Sequence, residues 1–451
     1  MIKTGMILVL LICMTNITYS QNQMDKSAYY KFGKRLYFVF TYNYNPQSDS
    51  VEVTTFLKIP YMFLRFEKDK NSKIESFISK PRIELEFIDT NDIIRKRESL
   101  ELTISTKNYS ELNNKDKFYY NKMTTKLPAH VFQPQIRLYD NEKTKLMEKK
   151  LNKIKLNDLK NGKNSLPPIM TSKNNSTDTS SRTIQILEGN ANFSSNDLDI
   201  LIPYYDNSKP SKLNYSIEYL DTKNTFPGWE NNIKVNGQIF PQYDQSINIT
   251  FDENNNPSIK LQKVKLDSTP SGLLEIFFNA DKTVPGNYVL NIWKDKSKDT
   301  IRLNFAIEWE NMPLSLRNPE YACEMMYYIL TDDEYNSMKS GSSKEILKKI
   351  FEYWKTKDPT KFTIYNETMY EYFRRVDQAF YNYQTFNEKD GAKTERGKIF
   401  ILNGTPDLVV RDINREGKPL EKWTYNRLKK VFTFDSDPSG TMFVSSVDDI
   451  K

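Results

Sequence analysis

Residues Gly391 to Asp407 read GAKTERGKIFILNGTPD, and this stretch decides the fold class of the C-terminal third of the chain. It divides into a polar loop, an apolar run from Lys398 to Leu402 and a Gly-x-Pro-Asp turn. These residue types favour a loop, a β-strand and a tight turn. Helical patterns precede the stretch and strand patterns follow it, so the sequence predicts an α+β domain here.

The helical patterns begin at Asn318, where the apolar period changes from two to near 3.6. Asn318 and Pro319 fit an N-cap and a first helical position, and two further segments have the spacing of capping boxes. Those boxes are Thr331-x-x-Glu334 and Ser342-x-x-Glu345. The pattern predicts about three helices, followed by a small antiparallel sheet with strands at 398–402, 408–411, 423–426, 431–434 and 442–445.

The order of these elements resembles the GWxTD domain, a bacterial family named for a Gly-Trp-x-Thr-Asp loop that continues into Arg-Gly, a strand and Gly-x-Pro-Asp. The matching residues are Gly391, Thr394, Arg396, Gly397, Gly404, Pro406 and Asp407, while Ala392 and Glu395 stand at the Trp and Asp positions. The likeness covers 318–447. It implies a cell-envelope protein and no particular reaction, because no activity is established for the family.

A shorter likeness covers Asn403 to Phe434. Its Gly-x-Pro, Trp-x-Tyr and Phe spacing is similar to that of the small outer-membrane assembly lipoproteins. Those proteins are interaction modules without catalysis, so this likeness implies a binding role.

The N-terminal two thirds of the chain alternate apolar and polar residues, as in Ile83, Leu85 and Phe87. Alternation of this kind is typical of half-buried strands, and short strands joined by Asn/Asp turns favour antiparallel sandwiches. We therefore expect two β-sandwich (Ig-like) domains, at 21–156 and 183–317, before the α+β domain at 318–451. The Ser/Thr/Asn-rich segment 157–182 between them is interpreted as a linker or a long surface loop.

Residues 1–20 have the pattern of a secretory signal peptide. Lys3 is followed by an apolar run from Met6 to Met14, and Ser20 precedes the expected cleavage site. Cys13 lacks the small preceding residue of a lipoprotein signal, so cleavage after Ser20 is favoured over acylation. The protein is therefore expected in the periplasm, outside the cell or on its surface, and no later run has the length of a membrane span.

Charge and cysteine content exclude two classes of protein. The formal charge is +7, and most of the basic residues alternate with acidic ones, which is typical of a solvated surface and not of a nucleic-acid site. Cys323 is the single cysteine after residue 20, so a disulfide scaffold is excluded.

The sequence offers no assembled catalytic, cofactor or metal site. His130 is the only histidine, which excludes triads and zinc sites that need several histidines. A structural role is favoured for His130, and Cys323 is expected to be a buried apolar residue rather than a nucleophile.

Carboxylates leave one catalytic alternative open. Glu371, Glu395 and Asp407 are candidates for acid/base work on a glycan, although helix capping and turn formation already account for residues of this type. Arg374, Arg375 and Arg396 form an arginine cluster. Glu395 or Glu371 is favoured as its internal partner over an external anion.

The basic stretch 143–160 has two interpretations. It has the composition of an amphipathic helix on a membrane surface, but a sandwich strand with an outward lysine face is favoured because Ile136 to Leu138 precede it as a strand. Taken together, the sequence predicts a non-catalytic module that binds another envelope protein. The alternatives are a carboxylate-dependent glycan hydrolase and a structural spacer.

Overall fold

The computed structural model describes residues 36–45, 47–70, 76–112, 114, 117–161, 166–173, 181–194, 196–220, 229, 233–251, 257–263, 271–295, 297 and 299–450. The expected signal peptide, with Lys3, Cys13 and Ser20, lies outside these residues. The described residues fall into two compact units. The first unit contains residues 36–312 and 336–371, and the second contains 313–335 and 372–450.

The first unit begins with eleven strands that form three sheets. They are β1 Tyr37–Asn45, β2 Ser50–Pro60, β3 Glu67–Lys68, β4 Phe77–Ser79, β5 Arg82–Ile88, β6 Ile94–Glu101, β7 Ile104–Thr106, β8 Phe118–Pro128, β9 Val131–Tyr139, β10 Lys145–Lys150 and β11 Ile154–Lys155. The sheet orders are β1-β2-β8, β10-β9-β5-β6 with β11 also paired to β9, and β3-β4-β7. All of these pairs are antiparallel.

Eleven further strands form two larger sheets. They are β12 Ile169–Lys173, β13 Ser181–Ile184, β14 Ala191–Asn192, β15 Leu198–Tyr205, β16 Leu213–Leu220, β17 Lys234–Ile239, β18 Gln245–Phe251, β19 Pro257–Lys263, β20 Ser271–Phe278, β21 Gly286–Trp293 and β22 Thr300–Glu308. The orders are β18-β19-β13-β12-β15-β20 and β14-β22-β21-β16-β17. The short pair of β14 with β22 is parallel and the other pairs are antiparallel.

In the β1-β2-β8 sheet, β1 and β2 are buried on both faces over much of their length, whereas β8 exposes one face from Lys122 onward. Phe38 and Phe40 pack into one core with Ile83 and Leu85, and Tyr37 packs into a second core. That second core also contains Val39, Phe56, Ile169, Ile184, Leu201 and Ile259, from the six-stranded sheet and from β1 and β2. A strand that is buried on both faces needs apolar residues in succession, which explains the unbroken apolar run Tyr37-Phe-Val-Phe40.

The predicted fold class is confirmed: two antiparallel sandwiches precede an α+β region. In the second sandwich, Tyr288 follows the Val284-Pro-Gly turn, and its ring stacks on Phe305 with centroids 5.2 Å apart. Its hydroxyl donates to the Val284 carbonyl at 2.8 Å, and Gly286 takes the positive φ that the turn requires.

Part of the segment 157–182 belongs to a sheet. Strand β12 pairs with both β13 and β15, and Ile169, Met170 and Thr171 are fully buried. The segment interpreted as a linker therefore contains a central strand. The sequence pattern did not indicate this strand, because only five residues separate the Pro-Pro turn from the Ser/Thr/Asn run. Residues 174–180 of that run lie outside the described residues.

The basic stretch contains two strands and a short turn. Lys145 to Lys150 form β10 and pair with β9, with Met147 and Lys149 half-buried, so a strand and not an amphipathic helix is present here. Strand β11 and a 3₁₀ turn at Leu156–Asn161 complete the stretch. His130 lies in the turn between β8 and β9, where its carbonyl accepts a hydrogen bond from Leu156 at 3.0 Å.

Five helices follow β22 among the described residues. They are α1 Pro319–Met326, α2 Asp332–Met338, α3 Ser343–Lys355, α4 Glu367–Asn382 and α5 Glu395–Asn403. The predicted N-cap is present, with Asn318 accepting from the Tyr321 N–H at 3.2 Å, and both predicted capping boxes are formed. Cys323 is buried on α1 as expected.

Helix α3 belongs to the first unit, although the boundary expected at residue 318 places it with the C-terminal domain. Phe351 packs on Trp229 with ring centroids 4.8 Å apart, and Tyr365 packs on Phe193 at 5.2 Å. These aromatic contacts account for the grouping of 336–371 with the sandwiches.

The second unit ends in a four-stranded antiparallel sheet. Its strands are β23 Leu408–Ile413, β24 Pro419–Tyr425, β25 Lys430–Ser436 and β26 Met442–Asp449, in the order β23-β24-β25-β26. Trp423 and Phe434 are buried on one face of this sheet, with ring centroids 4.8 Å apart. All four strands agree with the sequence prediction.

The strand predicted at Lys398 to Leu402 was wrong, because these residues lie in α5. The Ile-Phe-Ile-Leu run has strand propensity, but Thr394 caps a helix at its start and Gly404, with φ of +79°, ends that helix. Local capping therefore overrides the intrinsic preference of the β-branched residues.

Candidate functional site

The signature turn, residues Gly391–Gly397, is a tightly hydrogen-bonded helix entry. The Asp390 carboxylate accepts from the Ala392 N–H at 3.0 Å and caps a short 3₁₀ turn. Thr394 follows as the cap of α5: its hydroxyl accepts from the Gly397 N–H at 3.1 Å and donates to the Gly391 carbonyl at 2.8 Å. The two caps in succession fix the direction in which α5 leaves the turn.

Both glycines of the signature turn are required by close backbone approach. A Cβ on Gly397 would lie 1.9 Å from the Gly391 carbonyl oxygen, and a Cβ on Gly391 would lie 2.2 Å from the Ala379 carbonyl oxygen. Both of these oxygens belong to the backbone, which cannot shift aside as the end of a flexible side chain can. The two positions therefore admit glycine alone.

Ala392, at the family's tryptophan position, is fully buried. Its carbonyl accepts a hydrogen bond from the Tyr328 hydroxyl at 2.9 Å. Burial raises the pKa of Tyr328 to about 12, so this hydroxyl stays protonated and donates at neutral pH. Because residue 392 is a buried alanine, the turn presents no aromatic side chain to solvent at this position.

Asp390 links the signature turn to α1. The Tyr321 hydroxyl donates to its carboxylate at 3.0 Å, and Lys393, 3.9 Å away, also pairs with Glu324 at 2.7 Å. Burial raises the pKa of Asp390, against the hydrogen bonds from Tyr321 and Ala392 that act to lower it. Asp390 and Lys393 therefore connect the signature turn to α1.

Arg396 pairs with Glu421 on β24, a carboxylate that the sequence pattern did not single out as a partner of the arginine cluster. Its Nη1 lies 3.3 Å from the Glu421 carboxylate, which also accepts from Arg411 Nε at 2.8 Å and from Trp423 Nε1 at 3.1 Å. Burial acts to raise the pKa of Glu421, but these hydrogen bonds and charges hold it below its ordinary value.

The ring of Tyr383 lies beside this buried cluster. The Arg396 guanidinium is 5.6 Å from the ring centroid, and the ring packs on Phe400 at 5.4 Å and on Trp423 at 5.3 Å. Burial raises the pKa of Tyr383 to about 12. Arg396 therefore joins α4, α5 and the sheet in one core.

Two of the three carboxylates considered for acid/base work, Glu395 and Asp407, each accept a backbone N–H. Glu395 accepts from the Val444 N–H on β26, and Asp407 accepts from the Asn426 N–H at 2.7 Å. Asp407 also donates its own N–H to the Thr424 carbonyl at 2.9 Å. Both residues hold the ends or edges of strands in place.

The remaining residues of the predicted site surround the end of α5. Gly404 accepts from the Tyr425 hydroxyl at 2.9 Å, and Arg375 Nη1 donates to the Ile401 carbonyl at 3.4 Å. Pro406 is half-buried in the turn that follows, and Arg374 is half-buried on α4. The predicted residues are thus brought together around one helix, but they build its scaffold.

One strand of the second unit is exposed along its whole length: β23, which we call the β23 edge (Leu408–Ile413). All six residues are exposed, including Leu408 at 55% and Ile413 at 66%. β23 is the first strand of its sheet and pairs with β24 on one side. The sequence pattern predicts this strand but not its exposure, because exposure depends on the order of the strands in the sheet.

The opposite edge of the same sheet, β26, is protected. The Glu395 carboxylate occupies its Val444 N–H, a register irregularity interrupts its pairing with β25, and it ends in the exposed Asp448 and Asp449. Bulges and charges of this kind prevent strand addition at natural sheet edges. The β23 edge has four exposed apolar residues beside Arg411 and Asp412, whereas the exposed Phe443 and Val447 of β26 lie beside the occupied N–H, the register irregularity and the terminal carboxylates.

Within the described residues, no group of three or more His, Cys, Asp and Glu side chains is arranged to hold a metal ion. Likewise, no helix in the described part of the chain is long and apolar enough to cross a membrane.

Comparison with known proteins gave one family. Residues 286–443 match the GWxTD domain, a span that begins at β21 and ends in β26. None of the curated proteins compared with the chain matches it. The match agrees with the resemblance carried by the signature turn and extends it upstream into the last two strands of the second sandwich. The chain therefore carries a GWxTD domain at 286–443.

Proposed function

We propose that this protein is an exported component of the cell envelope whose C-terminal unit binds another protein, without catalysis, through the β23 edge. The observation that carries the proposal is the contrast between the two edges of one sheet. An exposed apolar edge strand is a template for pairing with another chain, and proteins normally block such edges. In this sheet β26 is blocked and β23 is open, which favours strand addition at β23.

Two further observations support a non-catalytic role. Glu395 and Asp407, two of the three carboxylates of the hydrolase alternative, are engaged by backbone N–H groups. Arg396, the arginine of the signature turn, is engaged by a buried carboxylate of its own chain. The signature residues thus stabilise the unit that presents the edge.

Site-specific cross-linking tests the proposal. Val409 and Val447 lie at the two ends of one cross-strand row, Val409–Trp423–Phe432–Val447, and are 37% and 47% exposed. A photoreactive amino acid is placed at either position in the full-length chain, expressed in cells with its own export signal. The two positions are matched in face and exposure and differ in the edge.

We expect a discrete cross-linked protein from position 409 and none from position 447. Equal cross-linking from both positions, or none from position 409, would contradict binding at the β23 edge. Fractionation of the same cells tests the compartment, and recovery of the chain in the cytoplasm would contradict an envelope role.

A further inference from the structure

The β23 edge has two chemically different faces. Alternation places Val409, Arg411 and Ile413 on the face that carries the buried Trp423 and Glu421. Leu408, Val410 and Asp412 lie on the other face. On the first face an arginine stands between two exposed apolar residues, and this order determines what fits beside it.

Arg411 has room for a second carboxylate. Its Nε is bound to Glu421 at 2.8 Å, yet its side chain is 79% exposed. The guanidinium offers five N–H donors in a planar fork, so the donors that face solvent remain able to bind an anion alongside β23. The side chain is also fixed at one end, which lowers the entropy cost of a second contact.

The surroundings of the edge are basic. Between Gly404 and Lys430 the chain has seven Lys and Arg and four Asp and Glu, a net charge of +3. Of the four acidic residues, Glu421 is buried between two arginines and Asp407 accepts from the Asn426 N–H. A basic edge attracts acidic segments and repels basic ones.

We propose that the segment bound at the β23 edge is an extended stretch of a partner protein with the pattern apolar-x-(Asp/Glu)-x-apolar. It adds to the sheet as a fifth strand, its carboxylate binds Arg411, and its apolar residues cover Val409 and Ile413. The pattern is symmetric about its acidic residue, so it applies to either strand direction. This inference rests on the proposed function and specifies the chemistry of the partner.

Labelled synthetic peptides test the pattern on the full mature chain by fluorescence anisotropy. The probe is acetyl-Thr-Val-Thr-Glu-Thr-Val-Thr-amide. Two companions replace Glu by Gln or by Lys. A third keeps every side chain and carries N-methyl groups on the backbone nitrogens of Glu, of both Val and of the two Thr beside Glu, which removes the donors that strand pairing needs in either direction. We expect the Glu peptide to bind about tenfold tighter than the Gln peptide, and the Lys and N-methyl peptides to bind more weakly still.

Two charge-matched variants locate the contact. Arg411→Gln removes the arginine of the edge, and Lys422→Gln removes an exposed lysine of the adjacent strand on the other face. Arg411→Gln is expected to abolish the difference between the Glu and Gln peptides, and Lys422→Gln to preserve it. Hydrogen exchange of β24 and β25 in each variant shows that the sheet is intact.

The outcomes separate the two proposals. If Glu, Gln and Lys peptides bind equally and the N-methyl peptide does not, strand addition stands and the acidic pattern is overturned. If the N-methyl peptide binds as well as the Glu peptide, or if no peptide binds, the pattern is overturned. Cross-linking from position 409 then decides independently whether the edge binds protein at all.

Discussion

The signature turn (Gly391–Gly397) and the β23 edge (Leu408–Ile413) are close in sequence and opposite in character. Gly391, Ala392, Thr394 and Gly397 are buried, whereas every residue of β23 is exposed. The turn carries the family motif and is held by hydrogen bonds within its own unit. The edge carries none of the motif residues, and among the strands that the structure describes it pairs with β24 alone. A family signature therefore identifies the residues that form a fold, and the surface available to a partner has to be found from strand order.

The largest loss of stability is expected from a substitution in the signature turn. Gly397→Ala places a Cβ 1.9 Å from a backbone carbonyl oxygen, and we expect the local stability of the second unit to fall by about 3 kcal/mol. The measurement is hydrogen exchange of peptides from 391–450 in the full chain. Lys398→Ala, on the exposed face of the same helix, is the control and should change stability by less than about 0.5 kcal/mol. Equal effects of the two variants would contradict a structural role for Gly397.

Glu421→Gln is expected to cause the second-largest loss of stability. It replaces a carboxylate bound by two arginines and an indole, and we expect a loss of about 2 kcal/mol at pH 7. Because the pKa of Glu421 is lowered in the folded state, its contribution is complete above the unfolded pKa of about 4.3 and is lost as pH falls through the folded pKa. The difference between wild type and variant should therefore shrink below about pH 4.

Urea unfolding followed through the C-terminal sheet at several pH values measures that difference. Glu416→Gln, an exposed residue of the β23–β24 turn that pairs with Lys418, is the control and should be nearly neutral throughout. A constant difference between wild type and Glu421→Gln from pH 7 to pH 3 would show that Glu421 acts through packing and not through its charge.

Thr394→Ala removes the cap of α5, and we expect a loss of about 1 kcal/mol. Thr394→Ser keeps the hydroxyl that bonds both the Gly397 N–H and the Gly391 carbonyl, so most of the stability should return. Helix α5 is followed by hydrogen exchange at 398–403. If Ser fails to restore protection, the methyl group of Thr394 matters more than its hydrogen bonds.

Much of the scaffold was predictable because its signals are local. Alternation located β5, and capping boxes located α2 and α3. What failed depends on tertiary context. The Ile-Phe-Ile-Leu run of α5 has strand propensity, and its helical state is set by caps outside the run. Strand β12 lies in a polar segment and is buried because sheets cover it on both sides.

The contacts of the candidate site also depend on tertiary context and were not predictable from local sequence patterns. Glu395 or Glu371 was favoured as a partner of the arginine cluster, whereas Arg396 pairs with Glu421, which lies 25 residues further along the chain on β24 and was not considered. Exposure of β23 depends equally on strand order, since β24 and β25 have similar apolar content and are half-buried or buried over much of their length. Pattern and propensity contain no information on which strand of a sheet is outermost.

The smallest effect on stability, and the sharpest test of the comparison, is expected at the edge. Val409→Thr and Ile413→Thr keep β-branched side chains on an exposed strand, so each should change local stability by less than about 0.5 kcal/mol. Each removes apolar surface that a fifth strand would cover, and about 1 kcal/mol lost per site corresponds to roughly fivefold weaker binding of the Glu peptide. Val447→Thr, on the protected edge, should leave peptide binding unchanged. If Val447→Thr weakens binding as much as Val409→Thr, the two edges are equivalent and the blocking of β26 by Glu395 has no functional meaning; if neither weakens it, the peptide contacts another surface.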